Sequence, residues 1–150
     1  MKYWLGIIGV IIGLFFIINP SWQRARNAHK EALTIGTVSA LSAALHEEMQ
    51  KGDIYPLLEI NDSFAEWRQI TESQYDKLIL KLSTDYYLDP PKRWKKNMPL
   101  LDLWGKRFII LIKYEDSILE SKVISKGPDG LLGTSDDIIG GNKTKIFLNK

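Results

Sequence analysis

The feature that most constrains this chain is the segment 125–138, which reads SKGPDGLLGTSDDI. Three aspartates and three glycines fall within residues 127–137, so this segment is expected to be a sharply turning loop that gathers negative charge. Carboxylates held this close repel one another unless a cation lies between them. Ca²⁺ suits such a loop because it accepts several hard oxygen ligands in flexible geometry. The sequence therefore predicts a calcium loop near the C-terminus.

A plain surface turn is the alternative interpretation of the same segment, because Asp, Gly and Pro are the residues that turns prefer. An EF-hand is excluded, since the alternating acidic positions and the closing glutamate of that motif are missing from residues 125–138. A pair such as Asp136 and Asp137 also performs acid–base work in hydrolases, but here a glycine-rich loop without a partner base surrounds it. Catalysis is therefore the weakest hypothesis.

The segment resembles the C-terminal calcium loop of the major pseudopilin of bacterial type II secretion systems. The family pattern is Ser-x-Gly-Pro-Asp-Gly-x-x-Gly-Thr-x-Asp-Asp-Ile, and residues 125–138 fill every fixed position. The resemblance implies one structural Ca²⁺, with main-chain carbonyls completing the shell of ligands. The implied side-chain ligands are Asp129, Asp136 and Asp137, with Ser125 as a further contributor.

Residues 3–18 (YWLGIIGVIIGLFFII) are sixteen uncharged and almost wholly apolar residues. A helix of a soluble domain would show polar positions at helical spacing, which this run lacks. No small-x-small cleavage site follows it, so a retained anchor is favoured over a cleaved signal peptide. We predict that residues 1–20 are a transmembrane anchor.

The flanking charges and the family resemblance predict opposite orientations for this anchor. The charges after the anchor, Arg24, Arg26 and Lys30, would by themselves place the rest of the chain in the cytoplasm. The resemblance implies a single-pass protein of the bacterial inner membrane with residues 21–150 in the periplasm, and we follow it.

Residues 21–51 are predicted to form a long amphipathic helix that begins at Ser21 and ends before Gly52, and Pro56 prevents its return. One apolar stripe follows helical spacing and is predicted to pack on a sheet. It consists of Val38, Leu41, Leu45 and Met49. The opposite, polar side is expected to carry Glu47, Glu48, Gln50 and Lys51.

This organisation resembles a pilin-like subunit, in which an apolar segment meets a proline and the helix continues into the soluble domain. The matching segments are 20–23 (PSWQ), 52–56 (GDIYP) and 102–108 (DLWGKRF). The last of these resembles a pseudopilin Asp-Pro-Trp-Gly signature, and we assign it the structural role of anchoring the sheet to the long helix. The implied fold class is α+β, a long N-terminal helix packed on a small antiparallel sheet.

Residues 52–101 are predicted to be short helices and loops, including one helical turn with Phe64, Trp67 and Ile70 on one side. Residues 102–150 are predicted to form the antiparallel sheet and the calcium loop. Its strands are expected at residues 108–114, 117–125 and 144–148, with turns at 115–116 and 140–142.

Several function classes are disfavoured by composition. A net charge of +2 is too small to indicate nucleic-acid binding, and the basic cluster 92–96 around Trp94 is typical of a solvated loop. The two histidines, His29 and His46, fit no metal spacing, and no catalytic triad, P-loop or dinucleotide fingerprint is visible. We expect no enzymatic activity.

The expected function is that of a structural subunit of a type II secretion pseudopilus or related filament. Its expected partners are the inner membrane, other pseudopilin subunits and the secretion machinery. One departure from the family stands out, because the anchor lacks the family's acidic residue, whose position falls at about Tyr3. The alternative is therefore a stand-alone, membrane-anchored calcium-binding interaction module that does not assemble into a filament.

Overall fold

The computed structural model of the chain describes residues 2–60, 63–85 and 100–145, and for residues 2–19, 84, 85, 143 and 145 only the backbone. The helices are α1 (Lys2–Lys51), α2 (Tyr55–Leu58) and α3 (Glu72–Asp85), and the strands are β1 (Phe64–Gln69), β2 (Ile109–Glu115), β3 (Ile118–Ser125) and β4 (Ile138–Lys145). Within these residues the strands form one antiparallel sheet in the order β1-β2-β3-β4. Helix α1 packs on β3 and β4. The predicted α+β architecture is confirmed.

The apolar stripe of α1 forms the centre of the core, as its spacing predicted. Leu41, Leu45 and Met49 are fully buried against the sheet, and Val38 is nearly so. The helix ends at Gly52, whose φ of 82° only glycine adopts at little cost, and whose N–H donates to the carbonyl of Glu48.

The predicted helix start at Ser21 is wrong, because α1 runs unbroken from Lys2 through Pro20. Proline lacks an N–H group and so costs the helix one hydrogen bond at this point. A helix of 50 residues keeps its bonded turns on both sides of that position and continues through it.

The predicted exposure of Glu48 is also wrong, since this side chain is only 1% exposed. One of its carboxylate oxygens lies 3.1 Å from Lys51 Nζ, and the other lies 3.0 Å from Lys81 Nζ. Lys51 lies on α1 itself, whereas Lys81 belongs to α3, so part of the charge that compensates the buried Glu48 comes from a different helix. The helical spacing of α1 does not reveal that second partner.

The helical turn predicted around Phe64, Trp67 and Ile70 is instead the edge strand β1. It pairs with β2, with Phe64 opposite Tyr114 and Arg68 opposite Ile112, and the register shifts between these two pairs. Such a bulge shifts the alternation of side chains, so the apolar spacing looked helical. Aromatic residues favour a pleated surface, and the Phe64 and Tyr114 rings meet edge to face 6.4 Å apart.

The predicted turn at 140–142 is likewise wrong, because these residues lie inside β4. Here α1 packs tightly on the sheet, because a Cβ atom at Gly140 would lie 2.5 Å from Ser42 Oγ and 2.8 Å from Val38 Cγ1. Glycine within a strand often marks such an approach. Gly140 therefore admits the helix, whereas a Cβ atom at Gly141 would lie 2.9 Å from the carbonyl oxygen of Ser121 in β3.

The β2–β3 hairpin was predicted closely. Its two-residue turn, Asp116 and Ser117, lies one residue later than the predicted 115–116. The φ values of 50° and 61° are the left-handed values that a type I′ hairpin turn requires. The basic cluster 92–96 and residues 146–148 of the predicted last strand lie outside the described residues.

Of the predicted membrane anchor, the structure describes only the helical backbone, and the side chains of residues 2–19 lie outside the description. Across the part of the chain that is described, no helix has both the length and the apolar character needed to cross a membrane. The anchor stays a prediction.

Candidate functional site

The loop with the three aspartates connects β3 to β4. Ser125, the last residue of β3, pairs directly with Ile138, the first residue of β4, so both ends of the loop are held side by side. Gly127, Gly130 and Gly133 have φ of 59°, 72° and 88°, left-handed values at which other residues are strained. The loop thus leaves β3 and returns to β4 at two residues that are paired with each other.

The start and the end of the loop are in contact. The N–H of Asp129 donates to Asp136 Oδ2 over 3.2 Å. A Cβ atom at Gly127 would lie 2.6 Å from that same oxygen, so only glycine permits this approach. Two of the three predicted ligands, Asp129 and Asp136, are therefore brought together by the fold, and Asp137 follows directly in the chain.

Each aspartate also accepts a hydrogen bond from the loop itself. Asp129 Oδ1 accepts from the N–H of Leu131 and Asp137 Oδ2 from the N–H of Gly133, both over 2.7 Å. Such bonds satisfy polar backbone groups in a segment that has no ladder of its own.

Asp136 is the most strongly bonded of the three. The Thr134 hydroxyl donates to its Oδ1 over 2.6 Å, and this bond, followed by the N–H of Asp129, lowers the pKa of the Asp136 carboxyl. Hydrogen bonds of this kind favour the charged form of a carboxylate. The loop therefore keeps this group ionised, the state in which it binds a cation.

The loop offers oxygen donors of the kind that a hard cation binds. Asp137 Oδ1 is buried and has no hydrogen-bond partner among the described residues, which leaves an oxygen with free lone pairs inside the loop. Oxygen-only ligands on a flexible backbone fit Ca²⁺ better than transition metals. Within the described residues, however, no group of three or more acidic or histidine side chains is arranged closely enough to hold a metal. Calcium binding stays a prediction.

Ser125 lies apart from these aspartates in its side-chain contacts. It is fully buried, and its hydroxyl donates to Asp102 Oδ2 over 2.7 Å while accepting from the N–H of Gly127 over 3.3 Å. In this structure the hydroxyl therefore joins the base of the loop to Asp102.

The sequence analysis placed Asp102 in the segment 102–108 but missed its contact with the base of the loop. Its Oδ1 accepts hydrogen bonds from the N–H groups of Trp104 and Lys106, over 3.0 and 2.8 Å. These bonds stabilise a compact turn in which Gly105 has a φ of 79°. The second oxygen of Asp102 holds Ser125. The Asp-x-Trp-Gly pattern was the available signal, because an aspartate two residues before a backbone N–H is typical of such turns.

The segment 102–108 was expected to anchor the sheet to the long helix. It is joined to β3 by the hydrogen bond between Asp102 and Ser125, and to α3 by Arg107, which lies 3.5 Å from Glu72 Oε1 and 3.7 Å from Asp76 Oδ1. The segment therefore supports the loop and α3.

The two histidines play no part in this site. His29 is exposed on α1, and His46 lies at the interface of α1 with the sheet, where its Nδ1 is 2.8 Å from the Thr144 hydroxyl.

The tip of the loop carries two apolar side chains, Leu131 and Leu132, which are both mostly exposed.

Comparison of the chain with models of protein families, with curated proteins and with solved structures finds no match.

Proposed function

We propose that this protein is a pilin-like structural subunit of a type II secretion pseudopilus or a related filament, anchored in the inner membrane, with one Ca²⁺ in the loop 125–138. The observation that carries the proposal is this loop: its sequence fills every fixed position of the pseudopilin calcium signature, and Asp129 and Asp136 meet within it. Its role in protein secretion would be structural, without catalysis.

The fold supports this proposal because it is compatible with a pilin-like subunit. Among the described side chains of helix α1, the first buried position is Thr34, so from residue 20 onward the helix packs on the sheet in its C-terminal part. Residues 20–33 are mostly exposed and extend the helix beyond the sheet, toward the apolar run 3–18. A protruding helix of this kind suits both an anchor and a filament in which helices pack together.

The ion would be held by the side chains of Asp129, Asp136 and Asp137, of which Asp137 Oδ1 has no other described partner. Bound there, Ca²⁺ would supply positive charge that offsets three neighbouring carboxylates. The chain's own contribution is to fix the loop: Asp102 and Ser125 hold its base, and the paired ends of β3 and β4 keep it closed. The exposed Leu131 and Leu132 would then be presented in one conformation to a neighbouring subunit.

A second candidate function, a stand-alone anchored calcium-binding module, is favoured by one observation. The run 3–18 holds no carboxylate, although the family has an acidic residue at the position of about Tyr3. In the family this acid is thought to pair with the amine of a neighbouring subunit and set filament register. Without it, assembly would depend on contacts of the folded domain.

Thermal unfolding of the full chain in detergent micelles tests the calcium site. At a Ca²⁺ concentration a hundredfold above the dissociation constant, binding to the folded state adds about 2.7 kcal/mol. We expect the wild type and an Asp116→Asn control to gain this stability and Asp136→Asn to lose the gain. A wild-type midpoint that ignores Ca²⁺ would contradict the proposal and leave only a helix-and-sheet domain.

Sedimentation of the calcium-loaded protein separates the two candidate functions. A filament subunit forms assemblies whose size grows with protein concentration, since a head-to-tail contact that does not close continues to add subunits. A stand-alone module stays monomeric over the same range of concentration while it still binds Ca²⁺.

A further inference from the structure

A cleft of about 290 Å³ lies beside the loop, where the ends of β1 and of the turn 102–107 face the start of α3. Its charged lining is predominantly basic: Lys106, Arg107 and Lys126 contribute to it, against one acidic residue, Glu72, among the described residues. None of the carboxylates of Asp129, Asp136 and Asp137 lines the cleft, although Lys126 belongs to the same loop.

Arg107 has unused hydrogen-bonding capacity in this cleft. Its Nη1 is buried and has no hydrogen-bond partner among the described residues. The nearest carboxylates are Glu72 Oε1, 3.5 Å from Nη1, and Asp76 Oδ1, 3.7 Å from Nη2. Charge-assisted hydrogen bonds are shorter, about 2.7–2.9 Å. A buried guanidinium donor without such a bond is costly unless a ligand supplies it.

The guanidinium is nevertheless held in place. It lies over the ring of Tyr75, 5.7 Å from the ring centre, and the hydroxyl of that tyrosine is itself fixed on the carbonyl of Leu100. A planar donor held on an aromatic ring loses little entropy when it binds a planar anion. Arg107 is therefore preorganised.

The two lysines add positive charge that the described part of the chain does not neutralise. Neither Lys106 nor Lys126 has a carboxylate within 4.0 Å among the described residues. They belong to different segments, and the hydrogen bond between Asp102 and Ser125 joins these segments next to both lysines. The fold thus gathers three cations from two distant parts of the sequence.

From these contacts we propose that the cleft is a binding site for a carboxylate ligand. The guanidinium of Arg107 offers the fork of donors that matches a carboxylate, and the ammonium groups of Lys106 and Lys126 add attraction from the other side. A free dicarboxylic acid and an acidic segment of a partner protein share this chemistry. In the ligand-free protein, the exposed carboxylate of Glu72 lies 3.5 Å from Arg107 Nη1 without a hydrogen bond, and it competes with a ligand for the same guanidinium.

Calorimetric titration of the full chain in uncharged detergent, in calcium-free buffer without other carboxylates, tests the site. The probes are succinate, for a free acid, and an acetylated hexa-aspartate peptide, for a protein segment. We expect at least one to bind with a dissociation constant of about 1 mM or tighter. Which probe binds identifies the source of the ligand.

Charge-matched variants show whether the cleft is responsible. K106Q/K126Q removes two lysines of the cleft, and K30Q/K77Q removes two lysines outside it. The first pair should bind about tenfold more weakly or worse, since hydrogen bonds to charged groups are lost, and the second should bind as the wild type does. Glu72→Gln should bind more tightly, because it frees the guanidinium.

Absence of saturable binding by both probes, or equal losses in the two charge-matched pairs, would overturn the proposal. Glu72→Gln that binds no better than the wild type would equally count against it, because Arg107 would then not be the receiving group. These outcomes are independent of calcium, since the titrations contain none. Failure here leaves the proposed function untouched, and failure of calcium binding leaves this site untouched.

Discussion

The hydroxyl of Ser125 donates a 2.7 Å hydrogen bond to Oδ2 of Asp102, and both side chains are buried. This bond joins the turn before β2 to the last residue of β3, where the acidic loop begins. A buried carboxylate with several donors is costly to disturb, because every lost bond leaves a polar group without a partner. The pair therefore fixes the position at which the acidic loop begins.

Asp102→Asn is expected to lower the free energy of unfolding by about 2 kcal/mol, because the amide offers one acceptor oxygen instead of two, so either the Ser125 hydroxyl or the N–H groups of Trp104 and Lys106 lose their acceptor. Chemical denaturation of calcium-free protein measures this loss. Asp116→Asn is the matched control: the same substitution in an exposed turn should leave stability almost unchanged, since asparagine tolerates left-handed φ. Equal stability of Asp102→Asn and the wild type would show that the buried bonds contribute nothing.

The close approach of α1 at Gly140 predicts opposite effects for two glycine-to-alanine substitutions. At Gly140 the added methyl group would meet Ser42 Oγ at 2.5 Å, so the helix must shift, and we expect a loss of about 1–3 kcal/mol. At Gly36, within α1, nothing lies within 4 Å, and alanine should instead add about 0.5–1 kcal/mol.

The denaturation midpoints of Gly140→Ala and Gly36→Ala, each compared with the wild type, test both predictions. Ser42→Ala provides a further control, because Ser42 Oγ has no described hydrogen-bond partner and its removal should cost little. Gly140→Ala should be less harmful in that background. If Gly140→Ala costs the same stability in the Ser42→Ala background as in the wild type, the contact with Ser42 Oγ is not the source of the loss.

The buried carboxylate of Glu48 predicts a strong dependence on Lys81. Lys81→Met removes one of two lysines that contact it, and we expect a loss of about 3 kcal/mol, because a buried charge becomes poorly compensated. The double variant Glu48→Leu/Lys81→Met removes both charges and should be more stable than the single one. Urea denaturation of the three proteins tests this, and a double variant less stable than Lys81→Met would refute it.

The Thr134 hydroxyl predicts how Asp136 titrates in calcium-free protein. Its hydrogen bond lowers the pKa of Asp136 below the ordinary value of 3.8, so the associated stability is present above pH 3.8 and is lost as the pH falls through the folded pKa. Thr134→Ala should raise the pKa of Asp136, and Thr134→Ser, which retains a hydroxyl, should not. Carboxyl ¹³C chemical shifts against pH measure both, and identical titrations in all three proteins would contradict the assignment.

Features that local sequence determines were predicted correctly. The buried stripe from Val38 to Met49 and the β2–β3 hairpin follow from helical spacing and from β-branched runs, which reflect neighbouring residues only. Features that depend on distant partners were missed. The burial of Glu48 involves Lys81 of α3, and Gly140 lies in a strand that pairs with β3 and packs against α1.

The candidate site likewise contains residues that local sequence reveals and residues whose role depends on distant partners. The aspartates of the loop are apparent from their spacing, whereas the role of Asp102 depends on Ser125, which lies 23 residues further along the chain. The cationic cleft was not anticipated at all, since Lys106 and Lys126 become neighbours only when the turn and the end of β3 are joined. Long-range pairing of this kind leaves no periodic pattern in a single sequence.

The β2–β3 turn offers a way to stabilise the protein without touching either site. Asp116 and Ser117 both have left-handed φ, which costs an ordinary residue about 1 kcal/mol or more. Asn-Gly is the preferred pair for a type I′ turn, so Asp116→Asn/Ser117→Gly should raise the free energy of unfolding by about 1 kcal/mol. The reversed pair, Asp116→Gly/Ser117→Asn, is the control, and it should gain less. A destabilised Asn-Gly variant would mean that the turn adopts another conformation in solution.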